Sequence, residues 1–333
     1  MKEKELAFKI LFFTDPHHTM RIPSSRKDDS FITTLAKVDE IIDISIEEKV
    51  DEVLVGGDIF DSPDIGDSVA GTVGKTYQRF PVRVSIIPGN HDLRGNSMST
   101  LYQTKLGLLG KLGIVNLIKE GDMIKLEKNG ITLQITGSPS DFGINLDKEK
   151  FILREKECDI AIHMVHAMLL KEDAKFGTYL PLKEIQKITK ADITLSGDFH
   201  LGFDIVEMEG KYFLNPGAII RKSNLLEEID RQPQIVLISI YDDKSIKCEY
   251  RQLQCASKGD VVLDRSKIES KILYNSMLDN FKQTIISNNT KTEKVDINDI
   301  IKSIAKQDNI DDEVKQCALE KVDVARVNLK IQG

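Results

Sequence analysis

All six histidines of the chain lie in or beside one ordered series of short motifs. The series runs Asp15-Pro16-His17-His18, Gly57-Asp58, Gly89-Asn90-His91-Asp92, His163 with His166, and Gly197-Asp198-Phe199-His200. Nearly every motif falls where a short apolar run ends, the edge at which an open sheet presents side chains to a ligand. Nitrogen and oxygen donors gathered on one edge describe a metal site, and their number suits two cations. Asp15 and His17 alternate along one segment and so project to the same side, where both can hold a first cation that His200 completes. Asp58 follows two glycines that permit close backbone approach, and its carboxylate is the natural bridge to a second cation. Asn90 offers that second cation an amide oxygen, and His163 or His166 an imidazole. His166, at the end of its apolar run, is favoured. His163, inside the run, reads as a packed core histidine, and His18 as solvated or outside the first ring of ligands. His91 cannot easily share the metal of Asn90 and is placed to donate a proton to a leaving oxygen, with Asp92 orienting its ring. Two cations roughly 3.5–4 Å apart would activate a hydroxide and clamp a phosphate for in-line attack.

Taken singly, an Asp-x-His pair carries little, and a Gly-Asp after a strand is often only a turn. The order and the strand-end placement carry the reading, and the elements that must hold these residues are legible. Phe8 to Phe13, Glu52 to Val55 and Val82 to Ile87 read as buried strands. A helix capped by Ser30 runs to about Lys49, with Phe31, Leu35, Val38, Ile41, Ile42 and Ile46 at helical spacing. A second helical stretch reaches about Arg79. This alternation predicts an α/β sheet with parallel strands. Further on, Asn129-Gly130, Glu209-Gly210 and Asp242-Asp243-Lys244 separate paired apolar runs, so the second half reads as richer in antiparallel hairpins. Asp159 to Val165 and Ile193 to Leu195 are further strands. Two facing sheets with helices outside are expected over residues 1–257.

Residues 258–333 change character. Ile268, Ile272, Met277, Phe281 and Ile285 outline one helix, and Ile297, Ile300, Ile301 and Ile304 a second. Val314, Cys317, Ala318 and Val322 outline a third, and a polar linker is expected at 287–294. This tail holds no histidine. It reads as a separate self-packed helical module, or as an appendage that docks on a partner.

The 333 residues suffice for a large domain and a smaller one. A formal net charge of -7 argues against a protein that coats nucleic acid through general basicity, though a bound cation or a local basic patch can reverse the field at one site. Cys158, Cys248, Cys255 and Cys317 form no Cys-x-x-Cys pair and read as reduced thiols of a cytoplasmic protein. The apolar run after Met1 to Glu5 contains Lys9 and leads straight to Asp15, so it reads as a strand and not as a signal peptide. No run is long enough to span a membrane.

The ordered motifs resemble those of the calcineurin-like metallophosphoesterase superfamily. Within it, Gly56-Gly57-Asp58-Ile59-Phe60-Asp61 is similar to the corresponding segment of SbcD-type nuclease subunits, as is Ile87-Pro88-Gly89-Asn90-His91-Asp92 to the third family motif. Asn215-Pro216-Gly217-Ala218 followed by Arg221 resembles the turn after the last motif in SbcD-like and phage-encoded relatives. The resemblance implies a four-layer αββα sandwich over roughly residues 7–255, with Mn²⁺ (or Mg²⁺) as the activating pair and cleavage of DNA as the reaction. It also implies that the C-terminal helices grip an SbcC-like ATPase and that the nuclease domain can form a homodimer. One departure stands out: the family has Gly-His-x-His where this chain has Gly197-Asp198-Phe199-His200, so Asp198 occupies the position of an imidazole ligand to the second metal. A carboxylate there binds Mn²⁺ or Mg²⁺ but adds negative charge beside the phosphate, and a slower or more metal-selective enzyme is expected.

Arg21, Arg26, Lys27, Arg94 and Arg221, on loops beside the motifs, are the candidates for contact with a DNA backbone. Two readings compete with the nuclease. One is a phosphatase or cyclic-nucleotide phosphodiesterase on a small substrate, which the same metals would serve. The other is a weakly active scaffold in which Asp198 marks a decayed site.

Overall fold

The computed structural model describes residues 4–171, 177–289, 297–307 and 310–331. It divides into two compact units, Met1–Asp264 and Arg265–Gly333. The division falls beyond residue 257 because the short helix Gly259–Val262 still belongs to the first unit. There Val262 and Leu263 are buried, and Lys27 N donates to Val262 O at 2.9 Å.

The first unit opens with β1 (Leu6–Phe13), α1 (Ser30–Glu47), β2 (Glu52–Val55), α2 (Asp67–Tyr77), β3 (Val84–Ile86), α3 (Lys105–Lys111) and β4 (Val115–Leu117). β1, β2, β3 and β4 lie side by side and parallel, with α1, α2 and α3 in the crossovers between them. Asp29, not Ser30, caps α1: its carboxylate accepts from Phe31 N at 2.9 Å and Ile32 N at 3.2 Å, while Ser30 is the first helical residue.

The second sheet contains β5 (Met123–Lys128), β6 (Ile131–Ser138), β7 (Ile160–His166), β10 (Ile193–Gly197), β11 (Phe203–Met208) and β12 (Lys211–Asn215), in the order β11-β12-β10-β7-β6-β5. Between β7 and β10 lie a two-residue pair, β8 (Leu169–Leu170) with β9 (Leu180–Pro181), and the short helix α4 (Leu182–Gln186). The expected hairpins form, with Asn129 and Gly130, and Glu209 and Gly210, all at positive φ as tight hairpin turns demand. The centre of this sheet is nevertheless parallel, since β12, β10, β7 and β6 run the same way; only the two edges are antiparallel. After α5 (Leu226–Asp230), the last hairpin, β13 (Gln234–Tyr241) with β14 (Ile246–Gln252), crosses to the first sheet and pairs antiparallel with β1.

Strand parity builds the layers. Phe8, Ile10 and Phe12 of β1 meet Leu133, Ile135, Ile162, Met164, Ile193 and Leu195 of the other sheet in a core between the sheets. Leu11 and Phe13 point the other way and pack under Val38 and Ile41 of α1 and Val73 and Tyr77 of α2. On the outer face of the second sheet, Val165 and Phe213 pack with Leu182 and Ile185 of α4. The result is the four-layer αββα sandwich, and both sheets end at one common edge.

The second unit contains α7 (Ser266–Asn289), α8 (Ile297–Gln307) and α9 (Asp312–Ile331), following α6 (Gly259–Val262) of the first. Ile301 and Ile304 of α8, Val314 and Ala318 of α9, and Met277 of α7 line an apolar cavity of about 400 Å³. Of the linker expected at 287–294, residues 287–289 continue α7 and the rest lies outside the described residues. Among the described residues no helix is long and apolar enough to cross a membrane, and the four cysteines are unpaired.

Candidate metal centre

The segment after β1 does not stay extended. Asp15 (φ 54°) and His17 (φ 43°) are both left-handed, so they reach one site through a tight double turn and not through strand alternation. Backbone bonds fix that turn against the segment after β2: Asp15 N donates to Gly57 O, His17 N to Asp58 O and His18 N to Ile59 O. Asp58 (φ 52°) and Asp198 (φ 75°) are left-handed as well, so four site residues share a backbone state that costs ordinary side chains energy. Gly57 is required by closeness, because a Cβ there would collide with the His166 ring nitrogen Nδ1.

Asp15, His17, Asp58 and His200 converge within 4.8 Å of one another. His17 Nε2 and His200 Nε2 face each other at 3.1 Å. Asp15 Oδ2 accepts from Thr14 Oγ1 at 2.6 Å and from Asp198 N at 3.2 Å, whereas its buried Oδ1 has no hydrogen-bond partner and lies 3.5 Å from His200 Nε2. Asp58 turns Oδ2 to His17 Nε2 at 3.4 Å and Oδ1 to His166 Nε2 at 3.5 Å, one oxygen to each side. His166 Nδ1 donates to Gly56 O at 2.6 Å, and its Nε2 lies 3.1 Å from Asn90 Oδ1. An orphaned carboxylate oxygen, two ring nitrogens face to face, and a third ring nitrogen beside an amide oxygen all fit divalent cations. The site is consistent with two of them, with Asp58 between. Asp15, His17, Asp58 and His200 surround one position; Asp58, Asn90 and His166 surround the other, with Asp198 beside them.

His166 and His163 are separated by strand parity. His166 shares the face of Ile162 and Met164, toward the other sheet. His163 points outward, where Nε2 donates to Lys150 O at 3.2 Å and Nδ1 meets the Thr136 hydroxyl at 2.9 Å. Burial pushes His163 down to about 4, so it is a neutral, satisfied core residue. His18 is not solvated: its ring is fully buried, edge-on to Phe31 and Tyr77.

The electrostatics follow from a buried carboxylate cluster. Burial works to raise Asp58, but the charges of His166 and His17 outweigh it and hold the carboxyl below its usual range. Asp15 is likewise held low, chiefly by His200 against burial. Burial would lower His166, yet Asp58 holds it well above the ordinary histidine value, so a cation entering here displaces a proton. Burial brings His17 down to about 4. Asp198 is pushed up by burial, and the charges of Asp15 and Asp58 add to the effect.

Two expected roles are corrected. Asp92 does not orient His91. It is fully buried and accepts from Gly89 N at 3.0 Å, Phe60 N at 3.1 Å and Ile59 N at 3.3 Å, clamping the two loops that carry Asp58 and Asn90. The His91 ring is held instead by the Asp61 carbonyl, which accepts from Nδ1 at 2.8 Å, and it stands edge-on to His17 at 4.7 Å. The basic residues are the second correction. Arg26 is buried, with its guanidinium on Asp28 and on Arg221 O; Arg221 is buried and donates to Arg231 O and Ser257 O. Both hold loops together and are not free to meet a ligand. Arg94 pairs with Asp64 and Lys27 donates to Asp260 O, while Arg21 is exposed. Two residues without an assigned role in the sequence reading stand beside the cluster: Asp61, last residue of the Gly-Asp motif, and Lys222, next to Arg221. Lys222 Nζ donates to Asp61 Oδ1 at 2.6 Å and lies 3.2 Å from His17 Nδ1.

The sequence model of the calcineurin-like phosphoesterase family matches residues 8–202, which span all the motifs. No curated protein matches the sequence. Among solved structures, the calcineurin-like phosphoesterase YfkN from Bacillus subtilis is 13% identical, with a TM-score of 0.44 over 78% of this chain and 95% of its own. A 5'-nucleotidase precursor from Thermus thermophilus is 11% identical, with a TM-score of 0.45 over 83% of this chain and 60% of its own.

Proposed function

The chain belongs to the calcineurin-like phosphoesterase family, and within that family we propose that it is a DNA-cleaving phosphodiesterase, the nuclease subunit of an SbcCD-like complex, working with two Mn²⁺ ions. The observation that carries phosphoester hydrolysis is Asp58, whose two oxygens address separate nitrogen ligands, His17 and His166. Asp15, His17 and His200 would hold one ion and Asn90, His166 and Asp198 the other. When bound, the pair would lower the pKa of a water so that it can attack as hydroxide, and would neutralise charge on the phosphate.

The chain's own residues do the rest. Nδ1 of His91 is committed to the Asp61 carbonyl, so a protonated ring presents Nε2–H to the leaving oxygen. Gly56 O fixes the tautomer of His166, and Asp92 fixes the loops beneath both positions. The DNA assignment rests on the wording of the Gly56–Asp61 and Asn215–Arg221 segments. In this reading the C-terminal helices take an SbcC-like ATPase, and a homodimer forms through the first unit.

One observation favours a small-substrate phosphatase instead. Two of the five basic residues expected along a DNA track, Arg26 and Arg221, are committed inside the fold. The test is cleavage of end-labelled single- and double-stranded DNA with Mn²⁺, Mg²⁺ or chelator, beside nucleoside monophosphates and an aryl phosphodiester. Metal-dependent shortening of DNA supports the nuclease. Release of phosphate from monoesters with DNA untouched, in the presence of an SbcC-type ATPase as well, overturns it.

A further inference from the structure

Lys222 follows the turn that closes the site. Its ammonium is about one-quarter exposed, like its partner Asp61, and so stands at the mouth of the cluster, whereas Asp15, His17 and Asp58 beneath are buried. Its two contacts are chemically unequal. The 2.6 Å bond to Asp61 suits a charge-assisted pair; the 3.2 Å approach to His17 Nδ1 requires that nitrogen to be an acceptor. A histidine that gives Nε2 to a cation carries its proton on Nδ1. That N–H can donate toward Asp61 Oδ1, 3.5 Å away, and has nothing to accept from a lysine. Lys222 then keeps Asp61 and has N–H donors to spare at the open side of the cluster. The edge-on rings of His17 and His91 place the leaving-group side in the same neighbourhood, since His17, Asp61 and His91 each bring a ligand atom within 4.8 Å of the others.

We propose that Lys222 is a substrate-binding residue, which donates to a non-bridging oxygen of the phosphate ester, with Asp61 holding it at the mouth of the site. This rests on the phosphoesterase reading. It also answers a charge problem, because Asp15, Asp58, Asp61 and Asp198 crowd four carboxylates where an anion must land. Lys222 offsets that field on the side where His91 acts.

The test uses the full chain and the variants Lys222→Gln and Lys222→Arg, read by calorimetric titration with Mn²⁺ and then with inorganic phosphate on the Mn²⁺-loaded protein. Lys222→Gln should weaken phosphate binding on the order of tenfold or more, the worth of one charge-assisted bond. Lys222→Arg should recover most of it, and Mn²⁺ affinity should be unchanged in both. For any ester the protein hydrolyses, KM should rise more than kcat falls. If Lys222 only supported His17, Mn²⁺ affinity would drop roughly 10–100-fold, and that result overturns the proposal. Unchanged phosphate affinity in Lys222→Gln overturns it too. If Lys222→Gln does not fold, Lys222→Met and the arginine variant decide by the same titrations. Should the wild-type protein hydrolyse no ester, the functional reading fails while the phosphate titration still decides the role of Lys222.

Discussion

His91 offers the cleanest separation between chemistry and architecture. Its main chain and side chain do different things: the backbone N–H donates to Asp58 Oδ1 at 2.8 Å, and the ring is held by Asp61 O at 2.8 Å. His91→Ala removes the ring and keeps the amide, so the Asp58 carboxylate retains its support and metal binding should survive. What is lost is proton donation to the leaving oxygen, typically about 10²–10⁴-fold in rate, or about 3–5 kcal/mol of barrier. The loss must depend on the leaving group. An alkoxide, as in DNA or a nucleoside ester, needs the proton and should show the full effect. A nitrophenolate leaves without help, and an aryl phosphodiester should lose far less. The assay is kcat for both substrate types in wild type and His91→Ala, with bound Mn²⁺ counted in each protein. An equal fall for both leaving groups, or a loss of metal in the variant, would refute the assignment of His91 as proton donor.

Asp198→His exchanges a hard ligand for an imidazole. It should move metal preference from Mg²⁺ toward Zn²⁺ and raise the hydrolytic rate on the order of tenfold; identical occupancy and rate in metal titrations of the two proteins would count against a ligand role for Asp198. Asp29→Ala removes the α1 cap that serves Phe31 N and Ile32 N and should cost about 0.5–2 kcal/mol in urea denaturation, with metal binding intact. Lys37 lies on the buried face of α1, and burial, with Arg26 and Arg221 adding, brings it from 10.5 down to about 7. Between those pH values the unfolded chain holds more protons than the folded one, so this residue makes stability climb as pH rises through that window; below it the cost of burying the charge is fully present. Lys37→Met should therefore stabilise the protein at pH 6 by ~1–3 kcal/mol and flatten the rise toward pH 10, as followed by denaturant midpoints across pH.

The cluster of Asp15, His17, Asp58 and His200 was legible in the sequence because its members follow closely on strand ends, and the separation of His163 from His166 follows alternation along β7. Other features were set by contacts far apart in the chain. The fate of Arg26 depends on Asp28 nearby but also on the carbonyl of Arg221, and that of Arg221 on Arg231 and Ser257. No local pattern distinguishes such an arginine from a solvated one. The turn Asn215–Arg221 drew attention to the right loop, yet the residue it delivers to the site is the next one, Lys222. Asp92 beside His91 invited a catalytic pairing, whereas three amides from two loops claim its carboxylate. The last hairpin read correctly as a hairpin, but nothing local says which sheet it joins, since both sheets have an edge to offer it.

That last crossing bears on how the protein can be made and cut. β1 carries Asp15 and His17 at its end, and its antiparallel neighbour is β13, with Leu6 opposite Tyr241. β1 is made long before β13 and waits for nearly the whole first unit to be synthesised before that edge is covered. Pairing over such a separation is slow, and an uncovered apolar edge invites association with other chains. A fragment ending at residue 202 would contain every motif histidine and still leave β1 open on one side. Expression trials should therefore compare a fragment ending at residue 231, just before β13, with one ending at 264: aggregation of the shorter and none in the longer would mark the β13–β14 hairpin as what completes assembly.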